Sequence, residues 1–197
     1  SVGVPFAVEE GVNDVSQLGL VGAGAAQFRV LHRDPATQRI RWVLVTFEAS
    51  SSGSYALVSG GGNFGGSGLA SETASRIVVS TGAARFEIRK SGFNVLDRVV
   101  RGTAELVATH AGGGVVVTAQ GTRFESGLDS ASEVVVEENG PVMAVVRARG
   151  TLRSAAGAAG LSYTARMHFY KGQSTCRAWV TLRNGEPTGF APFKALA

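Results

Sequence analysis

The feature that most constrains this chain is a series of short segments in which apolar and polar residues alternate, broken by glycine-rich turns at intervals of roughly 8 to 12 residues. Alternation with period two places successive side chains on opposite faces of a strand. No stretch sustains the helical spacing i, i+3, i+4, i+7. Only Ala70 to Ser75 has the character of a short helix. The expected strands run from Phe28 to His32, Ile40 to Glu48, Ser54 to Ser59, Arg76 to Ser80, Ala84 to Arg89, Asn94 to Val100 and Ala104 to Thr109. Val115 to Ala119, Glu133 to Glu137, Val142 to Arg149 and a final hairpin complete the series, and Ser1 to Phe6 is also strand-like. The near-continuous apolar middle of Ile40 to Glu48 predicts burial on both faces. The pattern argues an all-β chain built as an antiparallel sandwich or barrel.

Gly60-Gly61-Gly62-Asn63-Phe64-Gly65-Gly66-Ser67-Gly68 reads as a flexible connector and gives a domain boundary there. A chain of 197 residues, 44% of them apolar, buries enough surface for a core without staples. No apolar run approaches the roughly 20 residues of a membrane helix. One cysteine excludes an intrachain disulfide and a cysteine-based zinc cage, and Cys176 reads as a buried thiol. The charge of +4 is spread along the chain and is carried mainly by arginine. Nucleic-acid modules cluster their cations, so a nucleic-acid partner is not expected, whereas a modest affinity for anionic polymers follows from charge alone. Phe190, Phe193 and Leu196 read as the start of another element, so the chain is expected to be a piece of something longer.

The hairpin near the C-terminus carries the most chemistry. Tyr163 to Tyr170 and Thr175 to Arg183 alternate cleanly, and Lys171-Gly172-Gln173-Ser174 can join them. One face collects Ala165, Met167, Phe169, Cys176, Ala178, Val180 and Leu182. The other collects Arg166, His168, Tyr170, Arg177, Trp179 and Arg183 with several threonines. If Tyr170 faces Thr175, His168 faces Arg177 and Arg166 faces Trp179. Cations, an imidazole and two aromatic rings on one face suit a polar, acidic or sugar-like ligand. A solvated sheet face has the same look.

Other motifs yield less. Gly60-Gly61-Gly62-Asn63-Phe64-Gly65 matches G-x-G-x-x-G, but no helix or ribose-binding acid follows it. His32, His110 and His168 lack ligand spacing, so no metal or other cofactor is expected. Glu125, Asp129, Glu133, Glu137 and Glu138 form a loose acidic run, read as a solvated edge in which Glu133 and Glu137 share a face. A lyase needs a base to take a proton alpha to a carboxylate and a cation to hold the resulting charge. Tyr, His and Arg are the right types for both roles.

Several segments in order resemble a known family: Val4-Pro5-Phe6, Gln27 to Leu31, Ile40 to Phe47, Ile77 to Phe86, Gly92-Phe93-Asn94-Val95-Leu96-Asp97, Gly140 to Arg147, Arg166 to Tyr170 and Thr181 to Asn184. They resemble the N-terminal part of exo-acting rhamnogalacturonan lyases and the YetA-like proteins. The resemblance implies a small N-terminal barrel-like domain over residues 1–68. It implies the start of a central β-sandwich, incomplete, over residues 69–197, and a helical domain that this sequence lacks. The family's Trp-Pro-Asp-Gly-Ser-type turn is replaced here by Arg33-Asp34-Pro35-Ala36-Thr37-Gln38. None of the family's catalytic residues maps onto the chain.

The expectation is therefore a secreted, periplasmic or cell-surface portion of a polysaccharide lyase-like protein. Its partner is an acidic polysaccharide or oligosaccharide, besides further domains or a second copy, and the segment alone is inactive. The alternative is a non-catalytic β-rich surface or filament module.

Overall fold

The computed structural model describes residues 1–7, 10–49, 53–60, 67–111, 113–185 and 195–196. The chain forms two compact units. One comprises Ser1–Gly68 with Gly140–Met143, the other Leu69–Asn139 with Ala144–Ala197. The connector's residues 61–66, and Phe190 and Phe193, lie outside the described residues.

The first unit contains β1 (Val2–Pro5), β2 (Leu18–Val21), β3 (Ala26–Arg33), β4 (Ile40–Phe47) and β5 (Ala56–Ser59). An antiparallel sheet is ordered β1-β4-β3, and β2 pairs with β5. The two sheets share one core of Leu18, Leu20, Ala26, Ile40, Val43 and Val45, with Phe28, Val30, Phe47, Tyr55 and Leu57 packed around it. The double burial expected for β4 is incomplete. Val43 and Val45 are buried on one face and Thr46 on the other, but Trp42, on the same face as Thr46, is 45% exposed. Asp34 makes the turn after β3: its Oδ1 accepts from the backbone N–H of Ala36 (3.0 Å) and Thr37 (2.8 Å) and from the Thr37 hydroxyl (2.9 Å). Those bonds, that from the Thr37 N–H above all, hold the Asp34 carboxyl below its usual range. The unit is discontinuous. Buried Gln27 accepts, through Oε1, the backbone N–H of Val142 (3.1 Å) and Met143 (2.7 Å). A Cβ on Gly140 would lie 2.3 Å from that same oxygen, so a larger residue would push the carboxamide away from these bonds.

The second unit is an antiparallel sandwich. Its strands are β6 (Ala70–Glu72), β7 (Arg76–Ser80), β8 (Arg85–Arg89), β9 (Arg98–Arg101), β10 (Ala104–Val107), β11 (Val116–Ala119), β12 (Thr122–Glu125), β13 (Glu133–Asn139), β14 (Met143–Arg153), β15 (Ala159–Tyr170), β16 (Cys176–Arg183) and β17 (Ala195–Leu196). One sheet is ordered β10-β9-β8-β7-β6. The larger is ordered β16-β15-β14-β12-β11-β17, with β13 paired to β14. Inward residues of the first sheet (Ile77, Val79, Phe86, Ile88, Val99) share a core with those of the second (Val117, Val134, Val146, Leu152, Met167, Phe169). The Phe86 and Phe169 rings meet at 5.0 Å across that core. Each buried ring of this kind contributes roughly 1.5–3 kcal/mol.

Three readings are corrected. Ala70 to Ser75 is not helical, since Ala70–Glu72 pairs with Ile77–Val79 as an edge strand. Asn94 to Asp97 is not strand. Asn94 and Asp97 bond each other's side chains (3.1 Å), and Val95 takes a left-handed φ of 67°. Asp129, read as part of a solvated edge, is buried and accepts the Thr151 N–H at 2.9 Å and Arg153 Nε at 3.3 Å.

On the outer face of the smaller sheet, Glu87 is a buried carboxylate among three guanidiniums: Arg76 (2.5 Å), Arg85 (3.2 Å) and Arg98 (3.5 Å). The alternation of β8 aims Glu87 away from the core, between Val78 and Arg98 on its neighbours.

Candidate functional site

The site residues belong to the hairpin of β15 and β16. Its register pairs Arg166 with Trp179, His168 with Arg177 and Ser162 with Arg183. The turn between the strands is anchored. Thr81, buried in the turn after β7, donates its hydroxyl to the Gln173 carbonyl at 2.7 Å, and the Thr81 carbonyl accepts the Gly172 N–H at 2.7 Å. Gly172 has φ 75°, which glycine adopts without strain.

The strands differ in what they bury. On β15, Ala165, Met167 and Phe169 lie in the core, while Arg166 is exposed and His168 and Tyr170 are half-buried. On β16 both faces are open: Trp179 is 61% exposed, and Val180, on the supposed apolar face, is 45% exposed. Cys176 is half-buried rather than buried, because β16 is the last strand of its sheet and overhangs the core. Burial still pushes its thiol above the usual range.

The cations on this face are not equivalent. A bulge in β13 leaves Glu137 as an extra residue between Val136 and Glu138, which re-aims its side chain. Glu137 then takes Arg166 in a two-pronged ion pair, Oε2 from Nε at 2.7 Å and Oε1 from Nη2 at 3.0 Å. That bonding raises the Arg166 guanidinium above its ordinary range. Arg147 lies 3.5 Å from both Glu133 and Glu137, and Arg149 pairs with Glu133. Glu133 and Glu137 do share a face. Arg177 and Arg183 form no ion pair among the described residues.

The face continues into a shallow groove of about 650 Å³. The hydroxyls of Thr151, Ser162, Thr164 and Thr181 line it, with Glu133, Arg149 and Arg183 at its margins. Thr164 and Thr181 stand directly opposite each other, one pair along from Arg166 and Trp179. Of the six hairpin residues singled out from sequence, Arg183 lines the groove and Trp179 stands beside it on the same strand face. Arg166 is committed to Glu137, and His168, Tyr170 and Arg177 lie further toward the turn. Sequence reading placed Thr164 and Thr181 on the polar face but missed Thr151 and Ser162. The signal was present, as Ser and Thr at outward positions of three neighbouring strands. Among the described residues, no cluster of three His, Cys, Asp or Glu is placed to hold a metal. Multiple hydroxyls flanked by arginine and an exposed indole can hydrogen-bond a polyol, pair with a carboxylate and stack on a sugar ring.

A family model, the PcRGLX-like protein central beta sandwich domain, matches residues 69–187. The chain belongs to that family. The matched span covers the sandwich from just before β6 through β16, including the hairpin and the groove. The rhamnogalacturonan lyase-like resemblance therefore holds at the level of a carbohydrate-active module. No curated protein matches the chain.

Proposed function

We propose that this chain is the carbohydrate-holding portion of a polysaccharide lyase-like protein, and that it holds an acidic saccharide along the outer face of β14, β15 and β16. The observation that carries this reading is the hydroxyl-lined groove that ends at Arg183, whose guanidinium forms no ion pair among the described residues, beside the exposed indole of Trp179. Arg183 pairs with a uronate carboxylate, the threonine and serine hydroxyls meet ring hydroxyls, and Trp179 packs on an adjoining sugar face. The family membership supports the ligand class. The test is isothermal titration of an acidic, rhamnogalacturonan-type oligosaccharide into the protein and into its Trp179→Ala and Arg183→Ala variants. Each variant is expected to weaken binding by about tenfold, about 1.4 kcal/mol. Unchanged affinity in both rejects the groove.

One observation favours assembly instead. Ala178 and Val180 are exposed on β16 although their partners on β15, Met167 and Ala165, are buried. A last strand open on both faces is a template for pairing with another chain. Sedimentation separates the readings: a Val180→Lys variant that dissociates an oligomer while leaving saccharide affinity intact supports assembly.

A further inference from the structure

In the loops before β9 and after β10, well away in sequence from the hairpin, a second cluster of polar groups is built around a buried acid. Asp97 is 3% exposed. Its Oδ1 accepts the Asn94 amide at 3.1 Å and lies 2.8 Å from His110 Nδ1 and 3.8 Å from Arg89 Nε. The backbone N–H of His110 also bonds the Asp97 carbonyl, at 3.1 Å, so ring and main chain are held by one residue. An ionised carboxylate only accepts, so it selects the tautomer with the proton on Nδ1 and leaves Nε2 as a lone pair. The His110 side chain is 64% exposed.

Two independent observations mark the cluster as more than a loop fastening. Val95 and His110 both hold left-handed backbone conformations, φ 67° and 63°, although neither is glycine and Val95 is β-branched. Such strain costs on the order of 1–3 kcal/mol each and gathers at functional sites. The buried Asn94 Oδ1 and Arg89 Nε atoms also lack hydrogen-bond partners among the described residues. Buried polar groups are ordinarily satisfied, so unfilled ones call for an explanation.

We propose that Asn94, Asp97 and His110 form a second ligand site in the sandwich, where the imidazole Nε2 accepts a hydrogen bond from a saccharide hydroxyl. The ligand class rests on the carbohydrate reading above, whereas the oriented imidazole stands on the geometry alone. Asp97 and Asn94 position His110, and His110 is the group that touches the ligand.

The experiment is long-range ¹H–¹⁵N correlation of the histidine rings in the whole chain at about pH 8, above the range in which imidazoles usually take up a proton. A rhamnose–galacturonate oligosaccharide is titrated in, and the Trp179 indole N–H is followed in the same samples. Free His110 is expected in the Nδ1–H form, and Asp97→Asn shifts it toward Nε2–H. Saccharide moves the His110 Nε2 resonance and leaves His32 in place. His110→Asn, which tolerates the left-handed backbone, weakens that second binding event about three- to tenfold. An Nε2–H tautomer in the free protein overturns the site. So does a saccharide that moves Trp179 and not His110, in which case the groove reading stands. Movement of His110 alone supports the site and rejects the groove. Movement of neither rejects both.

Discussion

On the outer face of the smaller sheet, three arginines converge on Glu87, whose side chain is 3% exposed. On the outer face of the larger sheet, Arg147, Arg149 and Arg166 meet Glu133 and Glu137, whose side chains are 40% and 29% exposed. Both faces pair arginine with glutamate. On the first, a single acid at the centre organises its surroundings, and breaking the pairing strands a desolvated charge. On the second, the acids stand on β13 at one side, so neutralisation fades across the sheet and ends before Arg177 and Arg183. A carboxylate in the middle of a sheet makes a fastening, whereas one at the side leaves the opposite margin free for a ligand.

The largest effect tests the fastening. Glu87→Gln is expected to lower unfolding stability by about 2–4 kcal/mol, since it leaves three arginines with one neutral acceptor, and denaturant titration reads this out. A loss below about 0.5 kcal/mol removes the contrast between the faces.

A second test addresses the core between the faces. Tyr163, which is buried and stacks on Phe93 at 5.9 Å, has its phenol pushed up to about 12, first by burial and then by the charge of Asp129. A raised folded value means that the native state holds the proton more tightly than the unfolded chain. The associated stability is therefore complete below pH about 10 and is lost as pH climbs to about 12, by about 2–3 kcal/mol. Tyr163→Phe is expected to flatten this alkaline limb in denaturation profiles. Near neutral pH it changes stability little, because the hydroxyl has no well-formed hydrogen bond among the described residues.

Thr81→Ala comes next. Removing the hydroxyl that holds Gln173 costs about 1–2 kcal/mol and loosens the turn of the site hairpin, which amide hydrogen exchange at residues 171–174 reports. The smallest effect is on the open face. Glu137→Gln frees Arg166 at a cost below about 1 kcal/mol, because the pair is solvated. It is expected to strengthen binding of an acidic oligosaccharide severalfold. Weaker binding would show that Glu137 itself contacts the ligand.

How much of this was legible depended on whether the cause lay nearby in the chain. The register of β15 and β16 followed from clean alternation and a four-residue turn, so His168 against Arg177 was readable. The strand from Arg76 to Ser80 was readable in full, because Ile77-Val78-Val79 is a β-branched run bounded by polar residues. β6 was not, since Ala70-Ser71-Glu72 carries no apolar signal and is a strand only because β7 pairs with it. Asn94 to Asp97 has strand-like composition, and its Asn and Asp side chains fold it into a loop instead. In the site, the residue types were visible but their state was not. Nothing in the sequence ties Glu137 to Arg166, 29 residues on, or brings Thr151 beside Thr181.

Gln27 has a consequence for anyone who wishes to take this molecule apart. Its carboxamide receives the main chain of residues far downstream, and those residues, 140–143, count with the first unit. A gene fragment ending at Gly68 encodes all five early strands but omits a piece of the unit it is meant to express. Scissors placed by sequence cut across a body that is whole only in three dimensions, so cloning, limited digestion and any evolutionary exchange of the N-terminal part must carry the later segment along or supply a substitute.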